Sequence, residues 1–360
     1  MKSKIEVLVC DDSALMRKLL KEIINSDPLL NVCGTARDGK DAVIKARELK
    51  PDVITMDINM PGLDGITALQ IITEEKIAPV IMVSSLTQEG ALTTFEALEL
   101  GAFDYVAKPG GTVSTNIKAV SDELIRKIKA AAGVGILEKL NREKLKRTSR
   151  PESGVRIEKQ VALHKKKAPK LGYKAVAIGI STGGPKTIFD VLPYLPEDLN
   201  AAVFLVQHMP PTFTSSFAKR IDSASKLKCV EVEAGMEVKR GVIYLARGGR
   251  HLTLFKKTDG HILIRTPSKP EHLFIPSVDV MMESVLSVFG QDTVGVLMTG
   301  MGDDGADAMV KIREAGGITI AESEESAIVF GMPGEAIRRG GADIVAPSWE
   351  IAEEIIKAVG

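Results

Sequence analysis

The sequence predicts an α/β protein built from two doubly wound parallel-sheet domains, and three observations support this prediction. Short apolar runs typical of buried strands alternate with helix-period segments before residue 131 and again after residue 171. A basic stretch separates the two halves. The chain has 360 residues, of which 44% are hydrophobic, so each half is long enough to bury its own core.

The first half, residues 1–131, contains five predicted strands and an amphipathic helix. Apolar residues between Leu15 and Ile24 recur at helical spacing, so a helix with one buried face should follow the first strand. The predicted strands are Val7–Cys10, Val32–Ala36, Val53–Met56, Val80–Val83 and Tyr105–Ala107. Strands that alternate with helices form a parallel sheet with right-handed crossovers.

Residues 132–170 are predicted to be a basic interdomain linker. The segment holds twelve Lys or Arg residues against four Asp or Glu residues, although the formal net charge of the whole chain is zero. The spacing of its leucine and isoleucine residues indicates helix as far as Lys146, and glycine, serine and proline interrupt the remainder.

The second half, residues 171–360, repeats the alternation with one interruption. The predicted strands are Ala175–Ile180, Ala201–Val206, Val294–Met298, Ile318–Ala321 and Ile344–Val345. Helices are predicted at 186–195, 279–289, 305–315 and 350–359. Gly241–Phe255 and His261–Arg265 predict a β-hairpin inserted into the α/β order.

Composition narrows the class of function. Aromatic residues make up 4% of the chain and its net charge is zero, so no nucleic-acid partner is indicated. The cysteines Cys10, Cys33 and Cys229 lie far apart, which indicates neither a disulfide framework nor a zinc site. The N-terminal segment is typical of a strand rather than a signal peptide, and no segment has the ~20 apolar residues of a spanning helix. We therefore expect a cytoplasmic protein without membrane insertion.

Polar side chains end several predicted strands of the first half. Asp11 and Asp12 follow the first strand, and Asp57 ends the third. Carboxyl ends of parallel strands share one edge, so these carboxylates should lie together and repel one another unless a cation such as Mg²⁺ binds. Ser84 and Lys108 reach the same edge. An aspartate beside Mg²⁺ and a lysine is suited to accept a phosphoryl group, whereas a single such aspartate is better explained as a helix cap.

This set of residues resembles the two-component receiver domain, a family with a flavodoxin-like sheet of order 2-1-3-4-5. The resemblance implies that Asp57 is the phosphoacceptor. It also implies that Asp57 binds Mg²⁺ together with Asp11, Asp12 and the backbone carbonyl of Asn59.

The same resemblance assigns three further residues. Ser84 and Tyr105 would be the switch pair that responds to the phosphate. Lys108 would be the counter-ion of the phosphate. A histidine kinase would be the phosphodonor.

A glycine-rich turn follows the first strand of the second half. Its sequence is Gly179-Ile-Ser-Thr-Gly-Gly-Pro185, which matches the Gly-x-Ser-x-Gly pattern of a nucleophile elbow centred on Ser181. Small neighbours permit the tight turn and expose the hydroxyl. The motif alone is weak, because similar turns bind phosphate and a serine there can simply cap the next helix.

Two more polar elements follow predicted strands. His208 lies directly after the second strand, and Asp303 and Asp304 lie in a glycine-rich loop after the third. Taken singly, each is better explained as a structural or turn residue. Together with Ser181 they supply a hydroxyl, an imidazole base and a carboxylate, with backbone amides available for an oxyanion. The chain order Ser-His-Asp differs from the Ser-Asp-His order of the α/β-hydrolase superfamily.

Over essentially the whole chain these motifs resemble the chemotaxis-type protein-glutamate methylesterases. The resemblance implies a triad of nucleophile, base and carboxylate at Ser181, His208 and Asp304. It implies that Met301 provides an oxyanion N–H and that Thr182 is an accessory hydrogen-bonding residue. Asp303 would not be the triad acid.

The resemblance also implies a reaction. Glutamate γ-methyl esters on methylated chemoreceptor signalling domains would be hydrolysed to glutamate and methanol in chemotactic adaptation, and phosphorylation at the Mg²⁺-binding receiver site would activate the enzyme. No cofactor is expected for the hydrolysis itself. The residues leave open a second activity, deamidation of receptor glutamines by the same triad. A receiver-linked DNA-binding regulator that uses the basic linker is a further alternative, but the second half has no evident helix-turn-helix.

Overall fold

The computed structural model describes residues 4–85, 87–108, 117–145 and 171–360. The chain divides into two units, Met1–Gly154 and Val155–Gly360. Most of the predicted linker, residues 146–170, lies outside the described residues, so the domain boundaries at 131 and 171 stay predictions. In the described part of the chain, no helix is long and apolar enough to cross a membrane.

The first unit is a five-stranded parallel sheet of order β2-β1-β3-β4-β5, which confirms the predicted topology. Its strands are β1 (Ile5–Cys10), β2 (Leu30–Ala36), β3 (Val53–Asp57), β4 (Val80–Ser84) and β5 (Asp104–Ala107). Its helices are α1 (Ala14–Asn25), α2 (Gly39–Leu49), α3 (Gly65–Glu74), α4 (Gln88–Glu99) and α5 (Ile117–Leu145).

Side-chain caps fix where the first four helices of this unit begin. In each case a cap oxygen accepts a hydrogen bond from an N–H of the first turn, which contributes about 1 kcal/mol per helix. The caps are Ser13, Asp38, Asp64 and Thr87. Because the β1–α1 loop is closed by its cap within three residues, Asp11 and Asp12 remain at the carboxyl edge of the sheet.

The second unit contains a seven-stranded sheet of order β14-β13-β12-β6-β7-β9-β8, in which all neighbours are parallel. Its strands are β6 (Lys174–Ile180), β7 (Ala201–Gln207), β8 (Lys228–Glu231), β9 (Val242–Leu245), β12 (Thr293–Leu297), β13 (Ile318–Glu322) and β14 (Ile344–Ala346). A separate antiparallel hairpin consists of β10 (Thr253–Lys256) and β11 (Ile262–Arg265). The helices are α6 (Gly184–Thr187), α7 (Pro211–Ala224), α8 (Val278–Phe289), α9 (Ala306–Glu314), α10 (Met332–Arg338) and α11 (Ser348–Val359).

The inserted hairpin is present, but its first arm is shorter than predicted. Val242–Leu245 belongs to the main sheet as β9, and only the hairpin β10–β11 is separate. A four-residue apolar run has the same appearance in a parallel strand and in a hairpin arm, so periodicity cannot separate them. The predicted helix 186–195 is also wrong in its extent. Only α6 and two short 3₁₀ turns form there, since Pro193 cannot continue an α-helix.

The strand order of the second unit determines which loops meet. β12, β6 and β7 are adjacent in the sheet, although β12 is more than eighty residues away from β7 in the chain. Their carboxyl ends therefore lie side by side, and the loop after each strand opens onto the same edge.

Candidate active site and receiver site

Ser181 lies in a tight turn directly after β6. Its N–H donates to the carbonyl of Thr299 (3.0 Å), and its own carbonyl accepts from Gly184 N–H (2.8 Å). Two glycines make the turn possible. Gly183 has φ +79°, and a Cβ on Gly184 would lie 2.4 Å from the side-chain oxygen of Gln207. The turn holds the hydroxyl of Ser181 toward the neighbouring loop after β7.

His208 is the first residue after β7, the strand next to β6. Its N–H donates to the carbonyl of Ile180 at 3.3 Å, and its Nδ1 lies 3.0 Å from Ser181 Oγ. The buried Gln207 amide donates to the carbonyls of both Ser181 and His208, each at 3.0 Å. Gln207 thus joins the two loops, and the serine hydroxyl and the imidazole are within proton-transfer distance.

Asp304 lies on the other side of the His208 ring. Its Oδ2 is 2.8 Å from His208 Nε2. The carboxylate also accepts three hydrogen bonds from the start of α8, donated by Ser277 Oγ–H (2.8 Å), Val278 N–H (2.7 Å) and Asp279 N–H (3.0 Å). Burial alone would raise the pKa of Asp304, but the His208 contact and the helix amides hold this pKa well below its usual range. Asp304 is therefore an anion at neutral pH.

The charge on Asp304 determines the tautomer of His208. An ionised carboxylate can only accept, so Nε2 of His208 carries the proton that it donates to Asp304. When the ring carries no second proton, Nδ1 has a lone pair directed at Ser181 Oγ. A hydroxyl, an imidazole and a carboxylate thus form one continuous hydrogen-bond chain, an arrangement that can activate the serine as a nucleophile.

Met301 and Thr182 flank the serine. Met301 follows Gly300, on which a Cβ would lie 2.8 Å from Ser181 Cβ. Within the described residues, the Met301 N–H donates to no protein acceptor. Thr182 is buried and adjoins Ser181, and its carbonyl accepts from Thr299 Oγ1–H at 2.9 Å. The placement suits an oxyanion donor and an accessory residue, and both roles stay predictions.

Asp303 has a different environment from Asp304. Its side chain is 63% exposed and pairs with Arg339 at 2.5 Å. Arg339 also pairs with Asp307 on α9, at 2.6 Å. Asp303 therefore attaches its loop to the surface of α9 and α10, and Asp304 is the residue that contacts His208.

The predicted phosphorylation site forms at the carboxyl edge of the first sheet. Carboxylate oxygens of Asp11, Asp12 and Asp57 lie within 4.8 Å of one another. Lys108 Nζ lies 2.8 Å from Asp57 Oδ2 and 3.0 Å from Asp11 Oδ2. Burial raises the pKa of Asp57, Lys108 opposes this shift, and the other two carboxylates add to it. Three carboxylates thus lie close together, and one ammonium group pairs with two of them. Such a group of oxygen ligands fits a hard divalent cation such as Mg²⁺. Asn59 lies in the loop after β3, and the role of its carbonyl stays a prediction.

Both predicted switch residues contact helices of the first unit. The buried Ser84 hydroxyl accepts from Thr94 Oγ1–H on α4 at 2.9 Å and donates to the Gly90 carbonyl at 3.3 Å.

Tyr105 is buried beside α5, where Lys127 Nζ lies 4.9 Å from its ring centroid. Burial raises the pKa of Tyr105 well above its ordinary value, so the phenol is neutral. The pair connects the strand ends next to Asp57 with two helices, and its role in switching stays a prediction.

Comparison with known proteins identifies both units. Residues 176–355 match the CheB methylesterase family, and residues 7–117 match the response regulator receiver domain. The chain is 62% identical to protein-glutamate methylesterase/protein-glutamine glutaminase 3 of Syntrophomonas wolfei, over 99% of each chain. The chain belongs to the CheB methylesterase family. Both matched domains are those of a receiver-linked methylesterase, so the DNA-binding alternative is not supported.

Other relatives agree with this membership. The chain is 43% identical to the protein-glutamate methylesterase/protein-glutamine glutaminase of Thermotoga maritima, over 99% of this chain and 98% of the relative. The crystal structure of the Thermotoga maritima CheB methylesterase catalytic domain superposes with a TM-score of 0.51 and 40% identity. That match covers 52% of this chain and 99% of the solved chain. The α/β fold expected from the sequence is thereby confirmed.

Two residues of this CheB-family site were not predicted from the sequence. Phe274 stacks on the His208 ring, with centroids 4.2 Å apart and an interplanar angle of 11°. Ser277 caps α8 and donates to Asp304. Both lie in the irregular segment between β11 and α8, where neither strand nor helix periodicity applies. A Ser at the start of a helical pattern indicates a cap, but it does not indicate what else the hydroxyl contacts.

A buried carboxyl group supports the loop that precedes Met301. Glu322, at the end of β13, is fully buried. Its Oε2 accepts from Thr299 N–H at 2.6 Å, and its Oε1 accepts from Ser326 Oγ–H at 2.8 Å. Burial raises the pKa of Glu322 to about 7, although these two hydrogen bonds oppose the shift. Ionisation of this group is therefore less favourable in the folded protein than in the unfolded chain.

Replacing Glu322 with glutamine should change how stability depends on pH. Between the unshifted pKa of 4.5 and the folded pKa of about 7, the native state holds a proton that the unfolded chain has released. Wild-type stability should therefore fall as pH rises through this window. The glutamine cannot ionise. The free energy of unfolding of Glu322→Gln, relative to wild type, should rise by about 3 kcal/mol from pH 5 to pH 8.

Urea titrations followed by tryptophan fluorescence would measure this difference, because the chain has one tryptophan, Trp349 on α11 of the same unit. Glu324→Gln is the matched control, since Glu324 is an exposed carboxylate two residues away. If the free energies of unfolding of wild type and Glu322→Gln differ by the same amount at pH 5 and at pH 8, the raised pKa of Glu322 is contradicted.

Proposed function

We propose that this chain hydrolyses glutamate γ-methyl esters on chemoreceptor proteins and that phosphorylation of Asp57 raises this activity. The observation that carries the proposal is the hydrogen-bond chain from Ser181 through His208 to Asp304, with distances of 3.0 and 2.8 Å. It lies in a domain of the CheB methylesterase family. Relatives that match the full chain are named protein-glutamate methylesterases, which supports a protein-bound glutamate ester as substrate.

The first half of the reaction forms an acyl-enzyme. Ser181 Oγ attacks the ester carbonyl carbon while its proton passes to His208 Nδ1. The resulting imidazolium is stabilised by Asp304, which accepts the hydrogen bond from Nε2. The Met301 N–H would donate to the negative oxygen of the tetrahedral intermediate. When the intermediate collapses, His208 returns the proton to the leaving oxygen and methanol departs.

The second half releases the product. His208, again neutral, takes a proton from a water molecule as the water oxygen attacks the acyl-enzyme carbonyl. Collapse of this intermediate breaks the bond to Ser181 Oγ, which recovers the proton. The products are a glutamate carboxylic acid, which ionises, and free enzyme. One ester and one water thus give one acid and one methanol.

Glutamine deamidation is a second activity of the same site. The relatives are named protein-glutamine glutaminases as well as methylesterases. The acyl-enzyme is identical for a γ-methyl ester and a γ-amide, and only the leaving group differs. For the amide, the proton on His208 would pass to nitrogen and ammonia would depart. Since an amide is the poorer electrophile, we expect the ester to react faster.

The receiver site supports control by phosphorylation. Asp57 would accept a phosphoryl group from a histidine kinase, and Lys108, 2.8 Å from its carboxylate, would pair with the new negative charge. Asp11, Asp12, Asp57 and the Asn59 carbonyl would hold Mg²⁺, which neutralises charge during the transfer. Ser84 and Tyr105 would respond to the phosphate through their contacts with α4 and α5. A cytoplasmic location would give access to both the kinase and receptor signalling domains.

A single experiment tests both parts of this proposal. Methanol release from a methylated receptor signalling domain would be measured with and without a small-molecule phosphodonor and Mg²⁺. The wild-type rate should rise by about 5- to 150-fold with the donor. Asp57→Asn should retain the basal rate and lose this increase, because an amide cannot accept the phosphoryl group. Asp122→Asn, an exposed position on α5, should respond like wild type.

The possible outcomes separate the two claims. Absence of methanol from any methylated receptor would refute ester hydrolysis. Methanol release that the phosphodonor raises equally in wild type and Asp57→Asn would refute control through Asp57. Ammonia release from the same receptor domain with glutamines at the substrate positions would measure the second activity.

A further inference from the structure

A second histidine of the catalytic unit lies fully buried behind the triad. His251 precedes β10, and its ring makes hydrogen bonds at both nitrogens. Nδ1 accepts from Ser277 N–H at 3.2 Å, and Nε2–H donates to the Pro270 carbonyl at 2.9 Å. The backbone N–H of His251 donates to the Pro267 carbonyl at 2.8 Å. One residue thus holds the segment 267–277 at three points along its length.

This segment supplies two contacts to the candidate active site. Phe274 covers one face of the His208 ring, and Ser277 donates its hydroxyl hydrogen to Asp304 Oδ1. Ser277 is also the N-cap of α8, and the next two N–H groups of the chain donate to the same carboxylate. The position of the Ser277 backbone therefore sets the position of three of the four donors around Asp304.

We propose that His251 is a positioning residue for ester hydrolysis, which fixes Ser277 and the start of α8 so that Asp304 faces His208. The inference rests on the proposed function. Its physical basis is the pair of ring contacts. A buried backbone N–H and a buried carbonyl need one acceptor and one donor on opposite sides of a flat side chain, and a neutral imidazole provides both. A hydrophobic residue of similar size would leave the buried Ser277 N–H and the Pro270 carbonyl without partners, which is unfavourable.

Two amide substitutions separate the ring contacts. In His251→Asn, the side-chain oxygen takes the place of Nδ1, so the bond from Ser277 N–H is kept and the bond to Pro270 is lost. In His251→Gln, the side-chain nitrogen reaches the place of Nε2, so the bond to Pro270 is kept and the bond from Ser277 is lost. If His251 acts through Ser277, the asparagine variant should retain activity and the glutamine variant should not.

The expected result is a difference in kcat. His251→Gln should lower kcat about 10- to 100-fold with little change in KM, since a slight displacement of a catalytic group has this effect and the fully buried His251 offers no surface to a protein substrate. His251→Asn should stay within about threefold of wild type. His261→Gln, at an exposed histidine of the hairpin, is the matched control and should leave both constants unchanged.

A double-mutant cycle with Ser277→Ala tests whether the effect passes through this residue. The fold-reduction in kcat of the double variant should be smaller than the product of the fold-reductions in His251→Gln and Ser277→Ala. This is expected because both substitutions disturb the same contact to Asp304. Rates are compared per folded protein, measured by Trp349 fluorescence. Equal losses in His251→Asn and His251→Gln, a change confined to KM, or fully multiplicative losses would each overturn the inference.

Ser181→Ala, assayed in parallel, distinguishes failure of this inference from failure of the proposed function. If Ser181→Ala is inactive and His251→Gln is fully active, the triad stands and His251 is only a core residue. If Ser181→Ala is as active as wild type, the proposed function itself is wrong.

Discussion

Ser181→Ala is expected to lower kcat by about 10⁴- to 10⁶-fold with little change in KM. The variant removes the hydroxyl whose oxygen lies 3.0 Å from His208 Nδ1. Without it no acyl-enzyme can form, and water would have to attack the ester directly. The oxyanion donor and the substrate contacts remain, so some rate above the uncatalysed reaction should persist.

Two measurements check this expectation. Methanol release at saturating receptor concentration gives kcat, and a serine-directed phosphonate with peptide mapping gives the site of covalent labelling. The wild type should be labelled at Ser181 and the variant should not be labelled. Ser223→Ala is the control, because Ser223 is an exposed serine on α7 whose hydroxyl donates to the Lys219 carbonyl. A Ser181→Ala variant that keeps more than about a tenth of the wild-type kcat would exclude an acyl-enzyme at this residue.

The sequence indicates the triad because each member follows a buried strand. Apolar runs end at Ile180, Val206 and Met298, and a chemically active residue comes soon after each of them. Parallel strands present their carboxyl ends on one edge, so Ser181, His208 and Asp304 had to lie along the same edge. Their contact depends in addition on strand order. The order β12-β6-β7 makes the three loops neighbours, and strand order depends on long-range pairing that local patterns do not encode.

The supporting contacts lie beyond what local patterns can predict. Phe274, Ser277 and His251 all reach the site from loops, and each contacts a residue at least 26 positions away in the chain. Loops lack the periodicity that reveals which face of a strand or helix is buried. The choice between Asp303 and Asp304 depends likewise on turn geometry, since Gly302 and Gly305 adopt positive φ and direct the two side chains to different partners.

Asp304→Asn is expected to lower kcat by about 10³- to 10⁴-fold, as loss of the triad carboxylate does in serine hydrolases. The four donors to this group are His208 Nε2–H, Ser277 Oγ–H, Val278 N–H and Asp279 N–H. An asparagine has one oxygen that can accept hydrogen bonds and one NH₂ group that can only donate. The NH₂ group must therefore face groups that donate to Asp304 in the wild type. If NH₂ takes the place of Oδ2, His208 must accept through Nε2, and its Nδ1 then carries a proton and cannot act as the base.

The opposite amide orientation keeps the tautomer and loses the charge. With NH₂ in the place of Oδ1, the Ser277 hydroxyl can turn and accept, and only the Asp279 N–H loses its acceptor. His208 still donates to oxygen, but the imidazolium formed during acylation no longer faces an anion. Both orientations therefore slow the same step. Each also leaves a buried N–H without an acceptor, so the variant should lose about 1–3 kcal/mol of stability.

Asp303→Asn is a control matched in chemistry and sequence position. Asp303 pairs with Arg339 at the surface, and its substitution should leave kcat within about twofold of wild type. Steady-state methanol release from both variants, with unfolding followed by Trp349 fluorescence, gives the comparison. Equal losses in the two variants would mean that the loop rather than the carboxylate matters. Full activity of Asp304→Asn would remove the acid from the mechanism. A loss confined to Asp304→Asn requires a buried anion next to His208, and in the described structure the start of α8 stabilises this anion.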